Sequence, residues 1–316
     1  MMPRLLRIGT RSSELALWQA TQVQQALHAS GVACEIVPIE SEGDLDQHAP
    51  LYAMGVQGVF TRQLDLALLN QRIDLAVHSL KDVPVQPAQG TVLAAVLPRG
   101  PVDDVLLCRD TAWLDDRLMP AVVATGSIRR RAAWRYRYPH HQFENLRGNI
   151  HTRLRKFRES SWQGAIFARA ALERLQVHLQ PGEQLVPLPW MVPAPAQGAI
   201  GVVIRENDTA LYALCQQRLN DTPTALCTAI ERRFLKELQG GCSTPICALA
   251  QLEGEELVFT GQILRPDGKQ ALNIQLRKPL STGEAIAIEA ARALLEQGAR
   301  ELLRIPPSST NETLQP

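Results

Sequence analysis

The sequence predicts an α/β protein of two doubly wound lobes followed by a C-terminal α+β domain. Three observations carry this reading. Strand-like apolar runs alternate with amphipathic helical ones from residue 7 to residue 97, and the same alternation restarts at residue 121. Beyond Thr222 it gives way to Gly-bounded antiparallel strands between two helices. A break near Pro98 to Asp103 divides the two series, and a return crossing falls near Pro193 to Gly198. The expected boundaries are 1–98 with 199–219 for the first lobe and 103–195 for the second. Residues 222–305 form the C-terminal domain and 306–316 a disordered tail.

Each element has a local reason. Arg7 to Thr10 reads as a strand, Ser12 or Ser13 can cap the next helix, and Ala16, Ala20, Val23 and Leu27 recur at helical spacing until Gly31. Cys34 to Ile39 alternates as a strand. Residues 40–60 carry Gly43, Gly55, Gly58 and Pro50 and read as a long mobile loop. Thr61 opens a helix to about Asn70, and Ile73 to Val77 is a buried strand ending at His78-Ser79-Leu80-Lys81-Asp82. Strands at Val92 to Leu97 and Val105 to Cys108 complete this series.

In the second series, strands are expected at Ala121 to Ala124, Gln142 to Leu146, Ala165 to Ala168 and Ile200 to Ile204. Helices are expected from Ile128, at Ile150 to Glu159, Ala170 to Leu175 and Thr209 to Leu219. The C-terminal domain opens with a helix to Leu238, turns at Glu253-Gly254 and Pro266-Asp267-Gly268, and closes with a helix from about Glu284 to Leu303.

Composition narrows the functions. The 316 residues carry a formal charge of +1, so no global field draws the chain to nucleic acid or an anionic membrane. No apolar run reaches the length of a membrane span, and the N-terminal apolar stretch is too short for a signal peptide. Six cysteines without a CxxC pair read as thiols of a reducing cytoplasm, with no metal site. Walker A, GxGxxG, HExxH and GxSxG elements are all missing, which removes the common nucleotide, zinc-protease and hydrolase readings.

Three features carry chemistry. From Arg129 to Arg158, ten of thirty residues are Lys or Arg against one acid, Glu144. Arg129, Arg130 and Arg131 fall in the first turn of a helix and Arg147 just before another, where positive charge opposes the helix dipole by roughly 0.3–1 kcal/mol each. An anion at those helix starts would offset this, and planar guanidinium forks fit carboxylates or phosphates. A solvated basic face is the bland alternative. A nucleic-acid surface is the other, against which stand the near-zero net charge and the lack of a stacking platform. Second, Asp82 and Lys81 stand where a strand ends over the cleft, and an ionised carboxylate there can stabilise positive charge or move a proton. Third, Cys242 lies in Gly240-Gly241-Cys242-Ser243-Thr244-Pro245. It is either a thiol presented on a bare turn or a small buried filler after a glycine-capped helix.

Six stretches together resemble the hydroxymethylbilane synthase (porphobilinogen deaminase) family, in order and over nearly the whole chain. They are LRIGTRSSELALWQA (6–20), DLAVHSLKDVPV (74–85), ATGSIRRR (124–131), LRGNIHTRL (146–154), PAPAQGAIG (193–201) and GGCSTPI (240–246). The resemblance implies two lobes like a type II periplasmic binding protein and a third domain. It implies a transferase of tetrapyrrole (haem-type) biosynthesis that joins four porphobilinogen molecules head to tail, releasing ammonia and finally 1-hydroxymethylbilane. It further implies a dipyrromethane cofactor joined by a thioether to Cys242, with Asp82 as the catalytic carboxylate. Arg11, Ser13, Ser79, Lys81, Thr125, Ser127, Arg129, Arg130, Arg147, Arg153, Arg174 and Gln197 would bind cofactor or substrate carboxylates, and Phe60 would be the aromatic of the mobile loop. The expected protein is a cytoplasmic monomer with a small-molecule substrate and no nucleic-acid or membrane partner; the alternative is a non-catalytic two-lobed anion-binding protein or an inactive paralogue. The chain departs from the family pattern at Glu42, Met54 and Gln57 in the loop, where basic residues are usual, and at Gly164, Ala196 and Val203.

Overall fold

The computed structural model describes residues 5–40, 61–116, 118–241 and 244–304. Residues 41–60 of the expected loop, Phe60 among them, lie outside the described residues, as do Cys242 and the tail. The first lobe opens with strand β1 (Leu6–Arg11), helix α1 (Glu14–Ala29), β2 (Cys34–Ile39), α2 (Arg62–Leu69), β3 (Leu75–Ser79) and β4 (Thr91–Val96). The chain then crosses to β5 (Asp104–Cys108), α3 (Ala112–Asp115), β6 (Val122–Ala124), α4 (Ile128–Arg137) and β7 (Gln142–Glu144). It continues through α5 (Ile150–Arg158), β8 (Gly164–Ala168), α6 (Arg169–Arg174) and β9 (Gln184–Pro187). It returns through β10 (Ile200–Arg205) and α7 (Thr209–Arg218). The C-terminal part comprises α8 (Thr222–Glu237), β11 (Ile246–Glu253), β12 (Glu256–Leu264), β13 (Ala271–Pro279), α9 (Ala285–Glu296) and α10 (Ala299–Arg304).

The two lobes share one topology. Their five-stranded sheets run β2-β1-β3-β10-β4 and β7-β6-β8-β5-β9. In each, four strands are parallel and one, β10 or β5, opposes its two neighbours. The opposed strand is the one that each crossing delivers. Parallel strands end at the cleft, so a segment arriving across the cleft must run away from it. Apolar faces are covered on both sides: α1 and α7 on one face of the first sheet and α2 on the other, α3 and α4 against α5 and α6 in the second.

The C-terminal sheet is antiparallel, β11-β12-β13, and packs on α8 and α9 through Ile230, Phe234, Phe259, Ile286 and Leu294. Three local readings change. The Pro-rich stretch after residue 183 contains β9, an edge strand where Pro187 costs no ladder bond. The last helix is two, parted by Gly298 at φ 92°. Helix α8 is ended by Gln239 at φ 54°, not by Gly240 or Gly241. Gly240 answers to space instead, since a Cβ there would stand 2.4 Å from Ile246 and 2.7 Å from Leu235.

Candidate active-site cleft

On the first lobe, β3 runs into a single 3-10 turn, Leu80–Asp82. Val83 is extended and Pro84 forbids further helix. Leu80 and Val83 are buried against Val96, Ala196 and Ala199, while the Leu80 N–H donates to the Ala199 carbonyl at 3.0 Å. Anchored on both flanks, the turn leaves Lys81 and Asp82 half-buried. The Lys81 ammonium donates to Gln197 Oε1 at 3.3 Å. Burial lowers the Lys81 pKa to about 8, helped by Arg130 and Arg129 and opposed by Asp82 and Asp104. Ser79 shares hydrogen bonds of 2.8 and 3.2 Å with the buried Gln19 side chain. Ser13 is the N-cap of α1, its hydroxyl accepting from the Ala16 N–H. Arg11 ends β1 and, after burial, is the second cause lowering the His78 pKa to about 4, so that imidazole is neutral at pH 7.

On the second lobe, Thr125-Gly126-Ser127 links β6 to α4. The Ser127 hydroxyl caps the helix by accepting from the Arg130 N–H, and Thr125 Oγ1 accepts from the Ser127 N–H at 3.3 Å. Arg129 and Arg130 are buried, and both forks reach Asp104 at the start of β5: Arg129 at 2.5 Å, Arg130 at 2.7 and 3.1 Å. Arg129 also donates to the Val192 carbonyl and Arg130 to that of Ile166. Burial would raise the Asp104 pKa, but the two guanidinium groups hold it far below the carboxylate range. The anion expected at this helix start is therefore, for two of its arginines, a carboxylate of the protein itself. Arg131 lies over the Phe143 ring at 5.6 Å.

Arg147 is buried just ahead of α5, and Arg153 donates to the Gly148 carbonyl at 2.7 Å from the first turn of that helix. Burial, with Arg130, Arg147 and Arg11 nearby, lowers the Arg153 pKa to about 10; Asp82 pulls the other way. Residues of both lobes thus feel one another across the cleft. Lys81, Arg130 and Arg153 each interact with Asp82 in a site crowded with cations.

Two expected ligand-binding residues are committed to the hinge. Gln197 donates to the Val102 carbonyl at 2.7 Å and to Asp104 at 3.0 Å while accepting from Lys81, so it ties the two sides together. Arg174 donates to the Gly198 carbonyl at 2.6 Å and lies 5.4 Å from the Trp18 ring centroid. At the hinge, Gly198 (φ 85°) runs so close to the first crossing that a Cβ would stand 2.6 Å from the Gly100 carbonyl oxygen. Ala196, where a glycine is usual in the family, is left-handed at φ 61°.

The third domain reaches this hinge through α8. Glu231, fully buried, accepts both arms of the Arg99 fork (2.6 and 2.9 Å) and the N–H groups of Ala196 and Ala250. Beside it, Arg232 donates to the carbonyls of Val83 at 2.7 Å, Pro84 at 2.8 Å and Leu80 at 3.4 Å. Around Cys242, the Gly241 N–H donates to Thr244 Oγ1 at 3.0 Å, and that hydroxyl donates back to the Gly241 carbonyl at 2.7 Å. Thr244 therefore links the described residues on either side of positions 242 and 243.

Asp104, Arg99, Glu231 and Arg232 escaped the sequence reading. Glu231 had a signal: it falls four residues after Cys227 and three before Phe234, on the apolar face of α8. Asp104 had only its place beside Asp103 after a Gly-Pro crossing. Among the described residues no cluster of His, Cys, Asp and Glu could hold a metal ion, and no helix is long and apolar enough to cross a membrane.

Two family models match the chain: "Porphobilinogen deaminase, dipyromethane cofactor binding domain" over residues 6–213 and "Porphobilinogen deaminase, C-terminal domain" over 225–296. A porphobilinogen deaminase of Moorella thermoacetica is 39% identical over 301 residues, covering 95% of this chain and 96% of that protein. One of Acidithiobacillus ferrooxidans is 38% identical over 308 residues, covering 96% and 98%. Among solved structures, an ancestral cationic amino acid solute binding protein overlaps 74% of this chain and 90% of its own at 14% identity, with a TM-score of 0.43.

Proposed function

Because the chain belongs to the porphobilinogen deaminase family, we propose that Asp82, framed by cations from both lobes, is the carboxylate at which its reaction takes place. The reaction is that of a transferase of tetrapyrrole biosynthesis: hydroxymethylbilane synthesis, in which four porphobilinogen molecules are joined on a dipyrromethane cofactor with release of ammonia. The observation that carries the assignment is that Asp82 interacts electrostatically with Arg130 and Arg153 of the second lobe as well as with Lys81 beside it on its own turn.

The donor set fits a cofactor rich in carboxylates. Arg11, Lys81, Arg129, Arg130, Arg147 and Arg153 crowd a site where the described counter-charges are Asp82 and Asp104. Burial first, and then the neighbouring cations, depress the pKa of Lys81 and Arg153, and bound carboxylates offset the second of these causes. When bound, the cofactor supplies the pyrrole carbon to which the first substrate unit is joined. Lys81, Arg130, Arg147 and Arg153 bind acidic side groups of cofactor and substrate. Thr125, Ser127 and Arg129 shape the start of α4, Ser13 and Ser79 the first-lobe wall, and Arg11 the end of β1. Gln197 and Arg174 hold the hinge to which the two walls are attached.

Asp82 stabilises the positive charge that develops on porphobilinogen as its ammonia departs, and it accepts the proton lost from the pyrrole carbon after coupling. In a cleft walled by low-dielectric lobes one fixed carboxylate is worth more than in water. We assign the covalent tether to Cys242 and the loop aromatic to Phe60 by their place in the sequence. The domains follow the boundaries 1–98 with 199–219, 103–195 and 222–305. The reading includes porphobilinogen as partner, from the family, and a cytoplasmic monomer: six cysteines without a CxxC pair suit a reducing compartment, and a net charge of +1 gives no field that draws the chain to nucleic acid or an anionic membrane.

Intact-protein mass spectrometry tests the tether. The wild-type chain is expected to carry an adduct of dipyrromethane mass that is missing from Cys242→Ser, together with all turnover. An adduct that survives the substitution would overturn the assignment.

A further inference from the structure

The turn that bears Asp82 has an unusual support. Its apolar residues, Leu80 and Val83, are buried with Ala196 and Ala199, and Ala225 of α8 packs against the same cluster. Seven residues along, on the same face of that helix, Arg232 donates to three carbonyls of the segment 80–84. The carbonyls of Val83 and Pro84 lie just past Asp82, so one guanidinium clasps the exit of the turn. A planar fork with several N–H donors in fixed geometry is suited to adjacent carbonyls in a way that an ammonium on a flexible stem is not. Glu231, the preceding residue, secures both hinge crossings through Arg99 and Ala196.

We infer that Arg232 is a positioning residue for Asp82: it sets where the carboxylate stands relative to the cations of the second lobe, because its guanidinium holds the carbonyls on either side of the turn. The inference rests on the reading of Asp82 as the reacting carboxylate. Its chemical content is placement. Arg232 bonds to backbone on the far side of the turn, so its loss leaves the carboxylate and the cations in the chain but loosens their register. Displacement of a reacting group by about 1 Å can cost on the order of 10²-fold in rate.

The test uses the cofactor-loaded enzyme. Arg232→Ala is expected to keep the adduct mass and a KM within about twofold of wild type, while kcat falls on the order of 10²-fold. Guanidinium ion at millimolar concentration is expected to restore part of kcat in Arg232→Ala alone. Asp82→Asn is expected to remove most turnover, and adding Arg232→Ala to it should cost little more, since the two act as one unit. An unchanged kcat in loaded Arg232→Ala, or a raised KM with kcat intact, would overturn the inference; so would a full additional loss in the double variant. If Asp82→Asn keeps its turnover, the Asp82 reading fails instead, whatever Arg232 does. Should Arg232→Ala not load cofactor, Arg232→Lys serves: a kcat loss of about tenfold with the adduct retained supports the assignment, and a wild-type kcat overturns it.

Discussion

The two lobes have the same strand order and the same opposed strand, yet they carry charge into the cleft in different ways. In the second lobe, two buried arginines at the start of α4 share the Asp104 carboxylate, which hangs from the opposed strand β5. In the first lobe, the opposed strand β10 carries no acid, and Lys81 donates to an amide oxygen from the hinge. The second lobe thus holds its cations as a pre-paired frame, while the first leaves an ammonium and a carboxylate side by side at a turn. One topology thus holds its cleft-side charges in two ways, and the residue at one strand start separates them.

The sharpest way to break this contrast is Asp104→Asn. It leaves two buried guanidinium groups without their carboxylate, and a loss of about 3–5 kcal/mol of unfolding free energy is expected from urea denaturation. A loss under about 1 kcal/mol would show that the arginines re-pair easily and that the second lobe is no more pre-paired than the first.

A pH series sharpens the first-lobe side. Folded Lys81 titrates at about 8 instead of 10.5, so below pH 8 the folded chain bears the whole cost of holding a half-buried ammonium beside other cations. Between pH 8 and 10.5 the unfolded chain holds a proton that the folded one has released, and this group's contribution to stability rises with pH. Lys81→Gln is therefore expected to exceed wild type in urea midpoint most below pH 8, with the gap narrowing towards pH 10.5. A gap independent of pH would contradict burial of the charged form.

The smallest effect is expected where the lobes touch at the surface. His151, at the start of α5, meets Glu14, at the start of α1, at 2.6 Å, with both side chains more than half exposed. Glu14→Gln should change unfolding free energy by about 0–1 kcal/mol and leave kcat unaltered. A large rise in KM on that substitution would mean that this contact, and not the hinge, holds the lobes in register.

The expected family was legible because its marks are local. His78 to Pro84, the serine-capped arginine helix and Gly240 to Ile246 each spell out a turn or a helix start with chemistry on it. The elements were legible for the same reason: periodicity and caps are properties of neighbours, and Ser13, Ser127 and Asn149 all cap the helices they precede. Where the local signal was ambiguous, the reading slipped. Proline masked β9, and the glycines before Cys242 looked like a helix stop, whereas Gln239 ends the helix and Gly240 is required by close packing.

What the sequence by itself determined, then, is the alternation that builds two sheets, the helix starts that gather arginines, and the turn that offers Asp82. The partners of those charges were decided by tertiary structure alone. Asp104 meets Arg129 across 25 residues, Glu231 meets Arg99 across 132, and Arg232 reaches Val83 across 149. Charge carries no periodicity that reveals its partner. Only when the hinge brings three domains together does an ordinary Arg on an amphipathic helix meet the carbonyls of the turn that bears Asp82.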